Sequence, residues 1–243
     1  MPKVITPYKE STLTKKEQIA DMFTAISADY DGLNRVISFG IDKSWRKKVL
    51  ALVSKNKPKT ILDIATGTGD LAILMSKLNA DKIVGLDISS GMLEVGKKKI
   101  AALNLSEKIE LLLADAEKIP YETDSFDAIT VAFGIRNFEH LEKGLAEILR
   151  VLKPSCIFVI LETSNPTKWP FKPLYFFYTK TILPQIGKLF SKDKDAYGYL
   201  SESASVFPFG EAMNNILKKT GFIDVVAMPQ TFGVATIYAA SKK

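Results

Sequence analysis

Five short apolar runs, Thr60 to Ala65, Lys82 to Asp87, Ile109 to Leu113, Phe126 to Phe133 and Ile157 to Leu161, alternate with segments of helical character. No other feature constrains the fold as much. Apolar runs of strand length joined by helical crossovers build a parallel sheet with helices on both faces, so an α/β architecture is expected. Ahead of the runs, Ile19, Met22, Phe23 and Ile26 recur at helical spacing within residues 15 to 28, Asp29-Tyr-Asp-Gly-Leu-Asn34 reads as a turn, and a second helix covers about Trp45 to Ser54. After Leu161 the alternation stops. Pro166, Pro170, Pro173 and Pro184 surround Leu174-Tyr-Phe-Phe-Tyr178, too many prolines for another crossover, which marks residues 162 to 200 as an inserted cap. The pattern resumes with a helix from Glu211 to Thr220 closed by Gly221. Two runs follow, Phe222 to Met228 and Val234 to Ala240, and their short connection requires an antiparallel pair.

A chain of 243 residues can bury roughly 70–75% of its unfolded surface and needs no covalent staple. The single cysteine, Cys156, excludes a disulfide within the chain, and with a single histidine it cannot form a typical zinc site, so no metal is expected. The N-terminus lacks an apolar signal core, and no run approaches the roughly 18 residues that cross a bilayer. A cytoplasmic location is expected, at the inner face of the cytoplasmic membrane if the chain meets lipid. The formal charge of +6 is spread over scattered lysines without interleaved aromatics, which argues against a dedicated nucleic-acid surface.

Chemistry begins at Ile61-Leu-Asp-Ile-Ala-Thr-Gly-Thr-Gly-Asp70, where Gly67, Gly69 and Ala72 form a Gly-x-Gly-x-x-Ala pattern between a strand and a helix. Glycines there allow a tight turn and a close ligand approach. Ile83-Val-Gly-Leu-Asp87 ends in an acid 20 residues after Gly67, the placement that lets a carboxylate accept from ribose hydroxyls. Asp115, just after the third run, could accept from an adenine amino group or simply belong to a surface loop or a helix N-cap. A nucleoside cofactor is indicated, and a nicotinamide oxidoreductase, an RNA or DNA methyltransferase and an idle cofactor-binding module all share these features.

Further motifs narrow the choice. Leu62-Asp-Ile-Ala-Thr-Gly-Thr-Gly-Asp70, Val84-Gly-Leu-Asp87, Ala114-Asp-Ala-Glu117, Asp124-Ser-Phe-Asp127, Phe133-Gly-Ile-Arg-Asn137 and Arg150-Val-Leu-Lys-Pro154 together resemble a class I S-adenosylmethionine-dependent methyltransferase. With Asp29-Tyr-Asp31, Asn34, Ser44-Trp-Arg46, Leu161-Glu162, Pro166, Tyr199-Leu-x-Glu-Ser203 and Gly233-Val-Ala235, the chain resembles the ubiquinone/menaquinone biosynthesis C-methyltransferases over nearly its whole length. It departs from their pattern at Asp42-Lys43, Ala132 and Tyr238. The resemblance implies a Rossmann-like fold with a mostly parallel seven-stranded sheet and a reversed last strand. It implies a helical segment over 1–56 closing over the site, a cofactor core over 57–161, a substrate cap over 162–205, and a C-terminal helix and strand pair over 206–243. The implied cofactor is S-adenosylmethionine, held by Asp63, Ala65, Gly67, Thr68, Gly69, Asp87, Ile88, Met92, Asp115, Ala116 and Ala132. The implied partner is a lipid quinol, with a membrane face and a homodimer among the contacts allowed and no nucleic acid.

Methylating a quinol ring carbon requires the quinol oxygen to give up its proton or nearly so. Arg136 would favour that anion: a phenol with a pKa of about 10 falls by roughly 1–3 units beside a cation. Asn137 would orient the oxygen or fix the arginine. Alternatively Arg136 bridges to Glu162 or Asp127 as a structural pair. Candidate proton acceptors are Asp29, Tyr30, Asp31, Glu162 and His140; of these Tyr30 and Asp31 match the family and suit closure over the site, while His140 reads as a solvated or capping residue. The aromatic stretch Trp169 to Tyr178, with Lys172 and Lys180, could receive an isoprenoid tail, meet a membrane, or pack on the sheet.

Overall fold

A computed structural model describes residues 5–182 and 194–243. Three helices lead: α1 (Lys15–Ile26), α2 (Tyr30–Ile37) and α3 (Asp42–Ser54). The core follows as β1 (Thr60–Ile64), α4 (Asp70–Met75), β2 (Lys82–Asp87), α5 (Ser90–Ala102), β3 (Ile109–Leu113), β4 (Phe126–Ala132), α6 (Leu141–Val151) and β5 (Leu152–Thr163). Then come α7 (Phe171–Phe177), a π-helical turn over Tyr178–Ile182, α8 (Lys194–Val206), α9 (Glu211–Thr220), β6 (Ile223–Gln230) and β7 (Ala235–Ser241). The sheet order is β3-β2-β1-β4-β5-β7-β6, parallel through β5, with β7 antiparallel to both neighbours. The reversed strand and the antiparallel pair are as the sequence pattern requires.

Each face of the sheet buries its own apolar layer. Leu62, Ile64, Ile129 and Val131 meet α6 and α9 on one side, while Ile61, Ile83, Ala128 and Val159 meet α3 and α4 on the other. Local signals set the helix ends. Thr14 and Glu17 form a reciprocal capping box at the start of α1, and Gly221, at φ 115°, closes α9 in the left-handed conformation that suits glycine.

Two expectations need correcting. Asp29 to Asn34 is not a turn: Asp29 caps α2, whose first residues are Tyr30 and Asp31. Glycine at 32 weakens a helix in isolation, but an amphipathic helix gains most of its stability from packing, and Tyr30 stacks edge-on against Phe23 of α1. Strand β5 begins at Leu152, not Ile157: Leu152 already pairs with Phe126 of β4, and the register shifts before Ile157, with Ser155 at φ 60°. The described part of the cap region is helical from Phe171 onward, after a non-helical stretch over 164–170; Pro184 and the side chain of Lys180 lie outside the described residues.

Candidate active site

The carboxyl ends of β1, β2, β3 and β4 converge on a cleft, the usual place for a ligand in an open α/β sheet. Its floor is the turn after β1. Gly67 has φ +58° and a Cβ added there would meet nothing within 4 Å, so glycine serves the backbone conformation and leaves open space above it. The far wall comes from β4: Gly134 lies so close that a Cβ would sit 2.3 Å from the Cβ of Ala65. Only glycine lets the two turns touch.

Asp87 ends β2 with its carboxylate at the cleft. Oδ2 accepts from the Gly67 amide at 2.7 Å and Oδ1 from the Ser89 amide at 2.9 Å, which fixes both oxygens and leaves each a further lone pair. Burial pushes its pKa up, against the pull of those amides. Ile88, Met92, Ala116, Asp115, Ala65, Ala132 and Gly67 line the same cleft. Asp115 accepts from the Glu117 amide and pairs with Lys16 of α1 at 2.7 Å. A nucleoside fits this donor set: aligned carboxylates for hydroxyls and an amine, apolar walls from Ile88 and Met92 for a flat ring, and an open space over the glycine turn.

Beyond Ala65 and Ala132 the cleft meets a polar recess lined by Asp31, Asp63, Thr68, Asp70, Arg46 and Lys43. Asp63 lies beneath it, accepting from the hydroxyls of Thr66 at 2.6 Å and Thr130 at 2.7 Å, with burial raising its pKa to about 6. Asp31 accepts from Thr68 and from Lys99, both at 2.7 Å. Burial opposes its charge, but Lys99 and Thr68 together hold its pKa below the usual range. Lys99 also reaches Asp70, so α2, α4 and α5 are joined around one ammonium. Gly69 lines neither space; it caps α4 at φ 80°.

A second, larger cavity lies against the first, on the side of the cap. Its walls are largely aromatic and aliphatic, from Ile37, Trp45, Phe133, Tyr175, Phe176, Tyr178, Leu200 and Val234, with Asn34, Asp42, Arg46, Arg136, Thr163 and Asn165 among its polar groups. Tyr30 and Phe133 line both the nucleoside cleft and this cavity, and so form the partition. Burial raises the Tyr30 phenol pKa, although Arg136 and Arg46 pull the other way.

Arg136 and Asn137 sit in a single 3-10 turn after β4, Ile135–Asn137, and diverge. Arg136 faces the aromatic cavity; Asn137 faces the nucleoside cleft, where its Oδ1 accepts from Tyr199 of α8 at 3.1 Å. Arg136 donates to the Phe133 carbonyl at 2.6 Å and to Glu162 Oε1 at 2.7 Å, with both side chains buried. Burial works most strongly against its charge, yet Glu162 together with Tyr30 and Tyr199 outweighs it and the shift is upward. Of the two bridges the sequence allowed, the structure forms the one to Glu162; Asp127 is engaged elsewhere, with Lys153 and the amides of Lys59 and Thr60. His140 caps α6 without a side-chain bond to the helix, and its ring lies 3.0 Å from Glu117.

Sequence reasoning did not single out Arg46, Thr163, Tyr199 or Lys99 as site residues. Arg46 and Tyr199 carried a signal as part of the family pattern. Lys99 carried none, because its role depends on α2 folding back over α5. Among the described residues no cluster of side chains could hold a metal ion.

Comparison with known proteins matches this architecture. Residues 11–242 match the model of the ubiE/COQ5 methyltransferase family. The demethylmenaquinone methyltransferase of Bacteroides fragilis is 45% identical over 98% of this chain and 97% of its own. The ubiquinone/menaquinone biosynthesis C-methyltransferase UbiE of Geobacter sulfurreducens is 43% identical over 98% and 93%. Among solved structures, the [4+2]-cyclase SpnF superposes with a TM-score of 0.66 at 16% identity, covering 96% of this chain and 97% of that one. A SAM-dependent methyltransferase from Aquifex aeolicus gives 0.53 at 20%, covering 75% and 81%. A cyclase on the same scaffold shows that the fold alone does not choose the chemistry. The near full-length family match does choose the kinship, and the chain belongs to the ubiE/COQ5 methyltransferase family.

Proposed function

We propose that this protein is an S-adenosylmethionine-dependent C-methyltransferase acting on a polyprenylated quinol, converting demethylmenaquinol to menaquinol or methylating 2-methoxy-6-polyprenyl-1,4-benzoquinol. One observation carries the reading: the nucleoside cleft and an aromatic cavity holding Arg136 share the Tyr30–Phe133 partition. A flat ring in the second space would lie beside a methyl donor in the first. Asp87, Asp115, Ala116, Ile88 and Met92 would hold the nucleoside, and the recess of Arg46, Thr68 and Asp63 would take the charged amino-acid end. The cofactor supplies an electrophilic methyl on a positive sulfur. The protein supplies what that chemistry needs from the other partner: a dry aromatic pocket, a guanidinium that favours negative charge on the quinol oxygen, and a fixed orientation. Incubated with methyl-labelled cofactor, the protein is expected to label one or both quinols and to leave RNA unlabelled.

The lipid tail leads to a second part of the reading. Helix α7 lines the cavity with Tyr175 and Phe176 and turns Leu174 and Phe177 outward. Trp169, 84% exposed, and Phe39, 74% exposed, extend the outer surface, with Phe232 stacked on Phe171 beside them. Lys168 and Lys172 are exposed there, and no acidic residue occurs between Glu162 and Asp193. Exposed aromatics flanked by lysines suit the interface of an anionic bilayer, where the tail would pass from lipid into the cavity. No helix among the described residues is long and apolar enough to span one. Replacing Trp169 and Leu174 by alanine is expected to weaken partition onto anionic vesicles by about tenfold or more, given about 1.5–3 kcal/mol for each large apolar side chain fully buried. Vesicle cosedimentation measures it, and equal partition of parent and variant would reject the surface.

A further inference from the structure

The reading above places a quinol beside Arg136 but leaves its proton without a destination. An arginine cannot take it, because the guanidinium is already charged. Tyr30 and Tyr199 do not suit the task either: burial raises both phenols, Tyr199 to about 12, and a buried neutral phenol is a donor. Asp31 is committed to Thr68 and Lys99 on the far side of the partition. His140 is largely exposed beside Glu117, outside the aromatic cavity.

Asp42 lines the cavity, but its two oxygens are taken by the Ser38 hydroxyl at 2.8 Å and by Arg46 at 3.5 Å, which leaves the carboxylate of Glu162, just behind the wall. Glu162 Oε1 receives the Arg136 guanidinium at 2.7 Å, the Thr163 amide at 2.8 Å and the Thr163 hydroxyl at 3.1 Å. Its Oε2 is buried without a partner among the described residues, as is Nε of Arg136. A buried acceptor left unpaired is costly in a site that serves only to hold the fold together. Glu162 itself does not open onto the cavity; Thr163 and Arg136 do. The Thr163 hydroxyl therefore stands between the cavity and the carboxylate, able to accept from a ligand on one side while it donates to Glu162 on the other.

We propose that Thr163 is a catalytic residue that relays the quinol proton to Glu162, the terminal acceptor. This inference rests on the quinol reading of the same cavity. As the quinol O–H passes its proton to Thr163 Oγ1, the proton already on Thr163 moves to Glu162. The electron pair left on the quinol oxygen is fed into the ring, whose carbon would form the new bond to the methyl group as the methyl's bond to the cofactor's sulfur breaks and that pair stays on the sulfur. That carbon then carries both the methyl and its original hydrogen. Loss of the hydrogen as a proton to water restores the aromatic ring with its oxygen anionic, and Glu162 returns the first proton through Thr163. One proton is released per turnover, and the carboxylate is reset.

Electrostatics favours this route. Before transfer, Arg136 is paired with an anionic Glu162 beside a neutral quinol; afterwards it is paired with an anionic quinol beside a neutral Glu162. The total charge of the buried trio is the same in both states, so no net charge is created in a poorly solvated place. A guanidinium already neutralised by Glu162 would polarise a phenol weakly as a lone group, yet it serves well as the hinge of this exchange.

Thr163→Val tests the relay, since it keeps shape and both charges. We expect kcat to fall by about 100-fold or more, within the range for general base catalysis, with KM little changed. The rate should then climb with pH as hydroxide takes over the proton. Binding of 1-naphthol in the presence of S-adenosylhomocysteine, read by fluorescence, should match the parent, and Thr163→Ser, which keeps the hydroxyl, should recover most of the rate. If Thr163→Val retains the parental kcat and pH profile, or if Thr163→Ser is as slow as Thr163→Val, the relay is wrong. If the parent itself transfers no methyl to either quinol, the failure lies with the quinol reading.

Discussion

Arg136→Met is expected to destabilise the protein by about 3–5 kcal/mol and to abolish turnover, because it leaves Glu162 charged and buried with no cation beside it. The double variant Arg136→Met with Glu162→Gln removes the charge along with its partner. Its stability should return to near the parental level, since replacing both members of a buried ion pair is often close to neutral. Turnover should not return. Urea unfolding of the four proteins in the cycle, set beside methyl transfer, separates a structural role of the pair from a chemical one. A double variant that recovers activity together with stability would show that the pair only holds β4 to β5, and a single variant as stable as the parent would show that the pair is not buried as described.

The second large effect is at Asp87. Its carboxylate is aimed by two backbone amides, so Asp87→Asn cannot be a neutral exchange: the new amino group must face the N–H of Gly67 or of Ser89. Hydrogen bonds to charged groups contribute about 1.5–3 kcal/mol each. Losing the contacts to a ribose diol should therefore raise the dissociation constant for S-adenosylhomocysteine by about 100-fold, on the scale of roughly 1.4 kcal/mol per tenfold. Titration calorimetry reads it directly. A change within about threefold on that scale would mean that Asp87 serves the glycine turn and not the ligand.

These two positions also show where the sequence was legible. The placement of Asp87 at a strand end beside the glycine turn could be read from spacing alone, because strand, glycine turn and acid are neighbours in a local βαβ unit whose geometry varies little. The antiparallel pairing of β6 and β7 was equally accessible, since so short a connection permits only an antiparallel return. Arg136 was recognisable as unusual, a cation at the end of an apolar strand, with Glu162 or Asp127 as its possible partner, but the choice between the two was not legible. Glu162 lies 26 residues away on β5, and only the pairing of β4 with β5 brings the two together.

The same holds for the remaining surprises. Asp31 was read as a candidate for closing over the site; it lines the polar recess, with its carboxylate tied to Thr68 and Lys99 through α2, a helix that its glycine made look like a turn. Asn137 follows Arg136 in sequence and was expected to share its task. A 3-10 turn sends consecutive side chains about 120° apart, and the two residues face different spaces. Tyr199, which fixes the Asn137 amide, enters from a cap helix 62 residues further on, and no local pattern announces such a contact.

The central claim is that a methyl group is moved to a ring carbon in the cavity beside Arg136. The most direct measurement supplies S-adenosylmethionine bearing a trideuterated methyl, with reduced demethylmenaquinol in one reaction and methoxy-prenyl-benzoquinol in another, and locates the label by mass spectrometric fragmentation. The account predicts a gain of the intact labelled methyl on a ring carbon of at least one quinol, with both hydroxyls free. Label on a quinol oxygen, or cofactor binding with no transfer to either ring, would contradict it.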